Sequence, residues 1–469
     1  MTDSQQHPSR PTEAADVAIR EAVHSGLPST IADLSALVRI PSVSWAAFDP
    51  VHVRSSAEAV AELARGTGLF ESVDIRQARI ADGELGQPAV LATRAARNGR
   101  PTVLLYAHHD VQPPGKDEDW ATKPFEPTVV GDRLYGRGAA DDKAGVMAHI
   151  AALRALSEVS PEPDLGIALF IEGEEEFGSR SFASFLSDNR AALAADVIIV
   201  ADSNNWDVNT PGLTISLRGN VTFRLTVRTL EHASHSGMFG GAVPDAMLAM
   251  VTLLATLWDE NGSVAVAGLA RHEDATPEYG EDQLREEAAL LPGVRPIGTG
   301  SILGRMWSQP SITVTGIDAP SVANASNTLL PSVSVRVSMR VAPGQAAADA
   351  YAALERHLRE RAPFGAAVEI DDVDQGDPFL VDVSGPAVTA AKRAMADAWG
   401  AEPVELGVGG SIPFIADLVR EFPEAEILVT GVEDPDSRAH SPNESLHLGA
   451  FHRSVLSEAL LLARLNQGS

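Results

Sequence analysis

The sequence predicts an α/β protein of two domains, in which a mostly parallel α/β domain carries an inserted α+β domain. Short apolar runs alternate with helical patterns up to residue 212, which is typical of a parallel sheet covered on both faces. After residue 213 the pattern changes to an alternation of apolar and polar residues with period two, which is typical of an antiparallel sheet with one solvent-exposed face. The α/β pattern returns after residue 380. A chain of 469 residues is also too long for a single core.

These changes place the first part of the α/β domain at residues 14–212, the insertion at 213–380 and the second part at 381–469. Residues 1–13 are polar and contain proline, so we expect a disordered N-terminal segment. The formal net charge of −28 argues against nucleic acid or an anionic membrane as a partner. The absence of cysteine fits a cytoplasmic protein, and no apolar run in the sequence reaches transmembrane length.

The elements of the first part follow from their apolar spacing and their stop signals. A helical pattern that ends before Ile40-Pro41 opens the series. The predicted elements are, in order, helices at Thr30–Arg39 and Ser55–Arg65, a strand at Val103–Ala107, a helix at Val146–Leu156, a strand at Leu165–Ile171, a helix at Ser181–Leu193 and a strand at Val197–Ala201.

In the insertion, Thr214–Thr229 and Ser332–Val341 are the predicted strands, and Pro244–Trp258 and Gln345–Arg361 the predicted helices. The charged segment Asn261–Ile297 has no clear pattern. The last part predicts helices at Gly385–Trp399 and Ile412–Arg420, a strand at Glu426–Thr430 and a helix at Leu446–Leu465.

Metal-type side chains follow each apolar strand of the α/β domain. His108 and Asp110 follow the first strand, Glu172–Glu176 the second and Asp202 the third, and His440 lies in the loop after the late strand. Because ligands gather at the carboxyl ends of parallel strands, we expect these residues at one edge of the sheet. Histidine with carboxylates suits two divalent ions close together.

The segment Gly136–Gly145 places Asp141 and Asp142 side by side just before a helical pattern. Adjacent carboxylates repel one another, so this arrangement is costly unless a cation or several donors are present. Alone, it could equally be a solvated acidic helix cap. The metal-type residues at the other strand ends favour a metal site.

Six motifs carry a family resemblance: Y-A-H-H-D-V-Q-P, G-R-G-A-A-D-D-K-A-G, E-G-E-E-E-F-G-S, H-S-G-M-F-G-G, G-G-S-I-P and A-H-S-P-N-E. In order and spacing they resemble the carnosinase and cytosolic non-specific dipeptidase branch of the aminoacylase/carboxypeptidase-G family of co-catalytic zinc peptidases. The resemblance runs from about Ile31 to the C-terminus. It implies two bound divalent ions, which we expect to be zinc, with manganese and cobalt as alternatives. The implied ligands are His108 and Asp202 for one ion, Glu176 and His440 for the other, Asp141 bridging both, and a cis peptide at Asp141–Asp142.

The resemblance also implies catalytic roles. Glu175 would be the general base, Asp110 would orient His108, and His235 would be a lid histidine that reaches the active site of the partner subunit in a homodimer. His232, three residues earlier, is an alternative to His235. If the register of the acidic run were shifted by one residue, Glu174 and Glu175 would take the roles of base and ligand.

A peptidase that acts at a free C-terminus must neutralise the substrate carboxylate, and arginine suits this through bidentate geometry. The resemblance implies that Arg340 makes this contact. It assigns further substrate contacts to Gly410 and Ser411, and to Asn327 and Thr328.

The sequence therefore predicts a di-metal dipeptidase that acts on small peptides with a free C-terminal carboxylate. In the expected mechanism a metal-bridging water is the nucleophile and Glu175 the base. An N-acyl-amino-acid amidohydrolase is the nearest alternative, because related branches use the same metal centre. A non-catalytic metal-binding scaffold is a remote alternative, since no ligand or base is missing.

Overall fold

The structure, a computed structural model, describes residues 11–273, 277–409 and 413–468. The helices of these residues are α1 (Pro11–Val38), α2 (Val51–Gly66), α3 (Lys143–Val159), α4 (Phe182–Asp188), α5 (Arg190–Leu193), α6 (Ser236–Phe239), α7 (Ala246–Leu254), α8 (Glu281–Glu287), α9 (Ile302–Trp307), α10 (Ala347–Glu360), α11 (Pro386–Trp399), α12 (Pro413–Glu421) and α13 (Leu448–Gln467). Within the described ranges, no helix is long and apolar enough to cross a membrane.

The strands are β1 (Ser72–Arg76), β2 (Ala89–Arg94), β3 (Thr102–His108), β4 (Thr128–Val130), β5 (Arg133–Tyr135), β6 (Gly166–Glu172), β7 (Val197–Val200), β8 (Gly212–Leu217), β9 (Gly219–Arg228), β10 (Ser234–His235), β11 (Ser311–Asp318), β12 (Thr328–Leu329), β13 (Ser332–Val341), β14 (Ala367–Gly376), β15 (Phe379–Leu380), β16 (Val404–Val408), β17 (Glu426–Val429) and β18 (Ser445–His447).

The described chain divides into two compact units. The first contains the residues up to Ile215, Val381–Leu406 and the residues from Asp417 onward. The second contains Ser216–Leu380 and the described residues of 407–416.

The first unit is built on a sheet with the strand order β1-β2-β6-β3-β7-β17-β8. The four central strands are parallel, because β3 pairs in parallel with β6 and β7, and β7 with β17. The outer pairs β1–β2 and β2–β6 are antiparallel, and so is β17–β8. The α/β class is confirmed, but the sheet is mixed rather than mostly parallel. The prediction missed β1 and β2, whose sequences have no long apolar run.

The four parallel strands are buried except at the first residues of β3 and β17, as their apolar sequences predict. Every residue of β6 is buried, and so is every residue of β7. Helices α1, α3, α11 and α13 contribute buried side chains to the same core. Burying a single leucine or isoleucine side chain contributes about 1.5–3 kcal/mol to the stability of the fold. The many buried side chains of this core therefore hold the strands, and the residues at their ends, in defined positions.

The second unit contains a four-stranded antiparallel sheet with the order β11-β13-β9-β14. In β13 the buried residues alternate with partly exposed ones along the whole strand, as the period-two pattern predicts. Helix α10 buries Ala347, Ala350, Leu354 and Leu358, spaced three or four residues apart, in the core that β13 also enters.

Several elements differ from the sequence-based prediction. The segment Thr214–Thr229 is two strands, β8 and β9, which belong to different sheets and are separated at Arg218. The unassigned segment Asn261–Ile297 contains the helix α8. Helix α1 begins at Pro11, so Pro11–Glu13 is helical rather than disordered, while the rest of residues 1–13 lies outside the described residues.

Candidate metal centre and active site

The predicted metal ligands of the α/β domain lie at the carboxyl ends of adjacent parallel strands. His108 ends β3, Glu176 follows β6, Asp202 follows β7 and His440 follows β17. Because these strands are parallel neighbours, their carboxyl ends form one edge of the sheet. Asp141 precedes the first turn of α3.

Two groups of side chains share Asp141. His108, Asp141 and Asp202 form one group, and Asp141, Glu176 and His440 the other, with the ligand atoms of each group within 4.8 Å of one another. His108 Nε2 lies 3.1 Å from Asp141 Oδ1, and His440 Nε2 lies 2.9 Å from Asp141 Oδ2. The two carboxylate oxygens of Asp141 thus face two different histidines, as a carboxylate bridging two cations would.

The electrostatics of these groups fit cation binding. Burial raises the pKa of Asp202 to about 6, against the opposing effect of His108. Burial and the charge of Asp141 raise the pKa of Glu176 to about 7. Hydrogen bonds to Asp141 and Glu176 raise the pKa of His440 to about 11. Negative charge is therefore concentrated in a buried place, where divalent cations would offset it. Imidazole nitrogens with carboxylate oxygens suit zinc, and they also accept manganese or cobalt.

Asp110 is fully buried and contacts two parts of the site. Its backbone oxygen lies 3.2 Å and its Oδ1 3.4 Å from His108 Nδ1, the ring nitrogen that faces away from Asp141. Its carboxylate also accepts hydrogen bonds from the backbone N–H groups of Glu175 and Glu176, both at 3.1 Å, and from Ser44 Oγ at 2.7 Å. Asp110 therefore positions both the His108 ring and the acidic turn after β6.

Glu175 lies in this acidic turn, with its Oε2 3.9 Å from His108 Nε2. Burial raises the pKa of Glu175 well above its usual range, His108 opposes the shift, and Asp202 adds to it. Glu174 faces elsewhere, since its carboxylate accepts hydrogen bonds from Ser181 N at 2.9 Å and Arg180 Nη2 at 3.0 Å. This geometry favours the register in which Glu175 and Glu176, rather than Glu174 and Glu175, face the histidines.

Asp141 is supported by a buried residue, Glu444, that was not predicted from the sequence. The Glu444 carboxylate accepts hydrogen bonds from Arg137 Nη1 at 2.6 Å, Ala140 N at 2.9 Å, and Gly138 N and Asp141 N at 3.1 Å. Both Glu444 and Arg137 are almost fully buried. The A-H-S-P-N-E motif contained this residue, but no local pattern could link it to a loop about 300 positions earlier.

The peptide bond between Asp141 and Asp142 is cis, as the family resemblance implies. The side chain of Asp142 accepts a hydrogen bond from the backbone N–H of His108 at 3.1 Å. Asp142 thus connects the turn before α3 to the end of β3.

The remaining predicted residues that can be described lie in the second unit. His235 pairs with Thr328 across β10 and β12, and Asn327 O accepts a hydrogen bond from Ser236 N at 2.9 Å. His235 is exposed, and its Nδ1 accepts a hydrogen bond from Gly237 N at 3.1 Å. A neutral ring therefore carries its proton on Nε2, which can donate. His232 is also exposed.

Arg340 lies in β13, opposite Ser311 of β11 and Asn220 of β9. Burial lowers the pKa of this guanidinium. The predicted substrate contacts Gly410 and Ser411 lie outside the described residues.

Comparison with known proteins extends these observations. Residues 104–464 match the model of Peptidase family M20/M25/M40. The chain is 37% identical over 371 residues to the cysteinylglycine-S-conjugate dipeptidase of Corynebacterium striatum, covering 77% of this chain and 80% of that one. It is 27% identical to the beta-Ala-His dipeptidase of Homo sapiens, covering 84% of this chain and 81% of the relative.

A solved structure gives the same fold. The di-peptidase Dug1p from Saccharomyces cerevisiae matches with a TM-score of 0.75 at 22% identity, covering 96% of this chain and 98% of that one. The family match covers more than half of the chain, and the site motifs lie within it. The chain therefore belongs to peptidase family M20/M25/M40, in the branch that includes the carnosinases and the Dug1-type dipeptidases.

Proposed function

We propose that this protein is a di-metal dipeptidase that hydrolyses small peptides with a free C-terminal carboxylate. The observation that carries the proposal is Asp141, whose two oxygens face two histidines beside the partly buried Glu175. The names of its relatives support a dipeptide substrate, since the C. striatum and human proteins are both dipeptidases.

His108 and Asp202 would hold one divalent ion, Glu176 and His440 the other, and Asp141 both. When bound, the two ions supply Lewis-acid activation of water near neutral pH and electrostatic stabilisation of the oxyanion. Asp110 orients His108 through the contact with the ring nitrogen Nδ1.

Glu175 acts as the general base and then as the general acid. Its carboxylate accepts a proton from the attacking water and later gives this proton to the leaving amine. A raised pKa suits both steps, because a carboxylate with low proton affinity would release the proton before it reached the amine.

The second unit would act as a lid and dimerisation domain, with His235 acting in the partner's active site. The Nε2–H of His235 would donate to the oxyanion of the tetrahedral intermediate. Arg340 would bind the substrate carboxylate, with Gly410, Ser411, Asn327 and Thr328 completing that pocket. The absence of cysteine supports a cytoplasmic location for such an enzyme.

The test is turnover of a dipeptide panel, with N-acetyl and N-succinyl amino acids as the comparison, by protein reconstituted with zinc, manganese or cobalt. We expect unblocked dipeptides to be hydrolysed much faster than the N-acyl compounds. Preferential hydrolysis of the N-acyl compounds would favour the amidohydrolase alternative. No hydrolysis of any unblocked dipeptide, with two ions bound per chain, would refute the proposal.

A further inference from the structure

A pocket of about 450 Å³ in the second unit has an unusual lining. The loop after α8 and the helix α9 form much of its wall, and no Asp or Glu is among the residues described there. We call it the arginine pocket. It is defined by Arg218, Arg295 and Arg305, and its apolar wall includes Leu290, Val294 and Ile297. Its volume is in the range of small-molecule sites.

The arginine pocket is positively charged in a strongly acidic protein. The chain has 64 acidic and 36 basic residues, yet Arg218, Arg295 and Arg305 form no ion pair with a carboxylate in the described ranges. The nearby Arg285, which does not line the pocket, pairs with Glu281 at 2.7 Å. Three arginines without a counter-charge create a local field that attracts anions.

Arg218 has a donor available for a ligand. Its Nε donates to Gly409 O at 3.1 Å, and its Nη1 donates to Ser311 Oγ at 3.2 Å. Its Nη2 has no acceptor among the described residues. Burial and the charge of Arg340 lower the pKa of Arg218 to about 10, so an anion at this point would be stabilised by two guanidinium groups.

The arginine pocket also adjoins the residue to which we assign the substrate carboxylate. Ser311, which accepts the hydrogen bond from Arg218, is the direct cross-strand partner of Arg340. Side chains of directly opposed residues lie about 5 Å apart on the same face of a sheet. A substrate held by its α-carboxylate on Arg340 would therefore have its C-terminal side chain beside Arg218.

We propose that the arginine pocket receives the side chain of the substrate's C-terminal residue and selects a side-chain carboxylate, as in glutamate. The apolar wall would pack against the methylene groups, and Arg218 Nη2 would bind the carboxylate. A lysine side chain would meet three like charges. This inference rests on the dipeptidase function proposed above.

The test uses the metal-loaded enzyme and the dipeptides Ala-Glu, Ala-Gln and Ala-Lys. Glutamine has nearly the same shape as glutamate but no charge. The ratio of kcat/KM for Ala-Glu to that for Ala-Gln therefore measures the effect of the side-chain charge alone. We expect this ratio to be about tenfold or more, the size of a charge-assisted hydrogen bond, with Ala-Lys slower than Ala-Gln.

Three variants identify the residues involved. Arg218→Gln should bring the Glu/Gln ratio close to one, and Arg295→Gln, at an exposed position, should lower it without disturbing the fold. Arg285→Gln is the matched control, because this arginine lies outside the pocket lining, and its ratio should equal that of the wild type. Equal hydrolysis of Ala-Glu and Ala-Gln by the wild type would overturn the proposal, as would an unchanged ratio in both pocket variants.

Failure of the dipeptidase function would be seen separately, as no turnover of any of the three peptides. In that case, calorimetric titration with free glutamate and free glutamine tests the pocket alone. Tighter binding of glutamate by about tenfold, lost in Arg218→Gln and kept in Arg285→Gln, would support the carboxylate selectivity. Equal binding of the two amino acids would overturn it.

Discussion

Replacing Glu444 by glutamine should destabilise the first unit and weaken metal binding together. The Glu444 carboxylate accepts four hydrogen bonds, three from the backbone N–H groups of Gly138, Ala140 and Asp141 and one from Arg137. A glutamine of the same shape keeps one acceptor oxygen, but it places an NH2 group against the N–H donors of Arg137 or of the loop. The change also leaves the buried charge of Arg137 uncompensated.

The magnitude follows from burial. Removing one partner of a buried ion pair costs about 3–5 kcal/mol, because the other charge stays desolvated. We expect Glu444→Gln to lower the free energy of unfolding by this amount. Because Glu444 holds the backbone of Asp141, metal affinity should also fall by about 10–100-fold, as for other residues that support metal ligands.

The assay is urea unfolding of the metal-free protein, followed by competition with a chelator to measure metal affinity. Glu62→Gln is the control, since Glu62 and its partner Arg65 are both exposed and this pair contributes less than about 1 kcal/mol. The double variant Arg137→Met/Glu444→Gln should be less destabilised than the sum of the single changes, because both charges are removed.

A Glu444→Gln variant whose free energy of unfolding lies within about 1 kcal/mol of the wild type, and whose metal affinity is unchanged, would refute this prediction. Additive effects of Arg137→Met and Glu444→Gln on the free energy of unfolding would also refute it, since a direct ion pair must show coupling.

Further predictions concern the site itself. Glu175→Ala should keep both metal ions but lose turnover, and full activity would exclude Glu175 as the base. Mixing Glu175→Ala with His235→Ala subunits should restore part of the activity; no recovery despite subunit exchange would indicate that His235 acts in its own subunit. In the metal-free folded state the pKa of Asp202 is raised to about 6 and that of Glu176 to about 7. Between pH ~4 and about 7 the folded state therefore binds more protons than the unfolded chain. The Tm of metal-free protein should therefore fall as the pH rises through this window, while added metal should raise Tm more at higher pH; a rising Tm without metal would contradict the assignment.

The sequence predicted those parts of the fold in which burial and periodicity agree. The strands β3, β6 and β7 are continuous apolar runs, and β13 and α10 follow their periods closely. The edge strands β1 and β2 have weaker patterns, and their antiparallel pairing depends on contacts with β6 that no local signal encodes. The break between β8 and β9 was hidden because Leu217 and Gly219 continue the same alternation on either side of Arg218.

The candidate site likewise contains residues that the sequence predicts and residues that it does not. His108, Asp141, Asp202 and Glu176 could be found because each follows a strand or precedes a helix. Glu444 and Arg218 could not, because their roles depend on partners about 190–300 positions away. The roles of Glu444 and Arg218 depend on their burial and on the backbone groups with which they form hydrogen bonds. The residues next to them in the sequence indicate neither the burial nor the partners.

The most direct test of the central claim is a titration of metal-free protein with zinc or manganese, in which bound metal and dipeptide turnover are measured on the same samples. We predict that turnover is complete at two equivalents per chain, and that Asp141→Asn lowers both metal binding and turnover, because we assign Asp141 to both ions. The di-metal dipeptidase proposal would be contradicted by full dipeptide turnover without metal, by saturation at one equivalent, or by an Asp141→Asn variant that binds two ions normally.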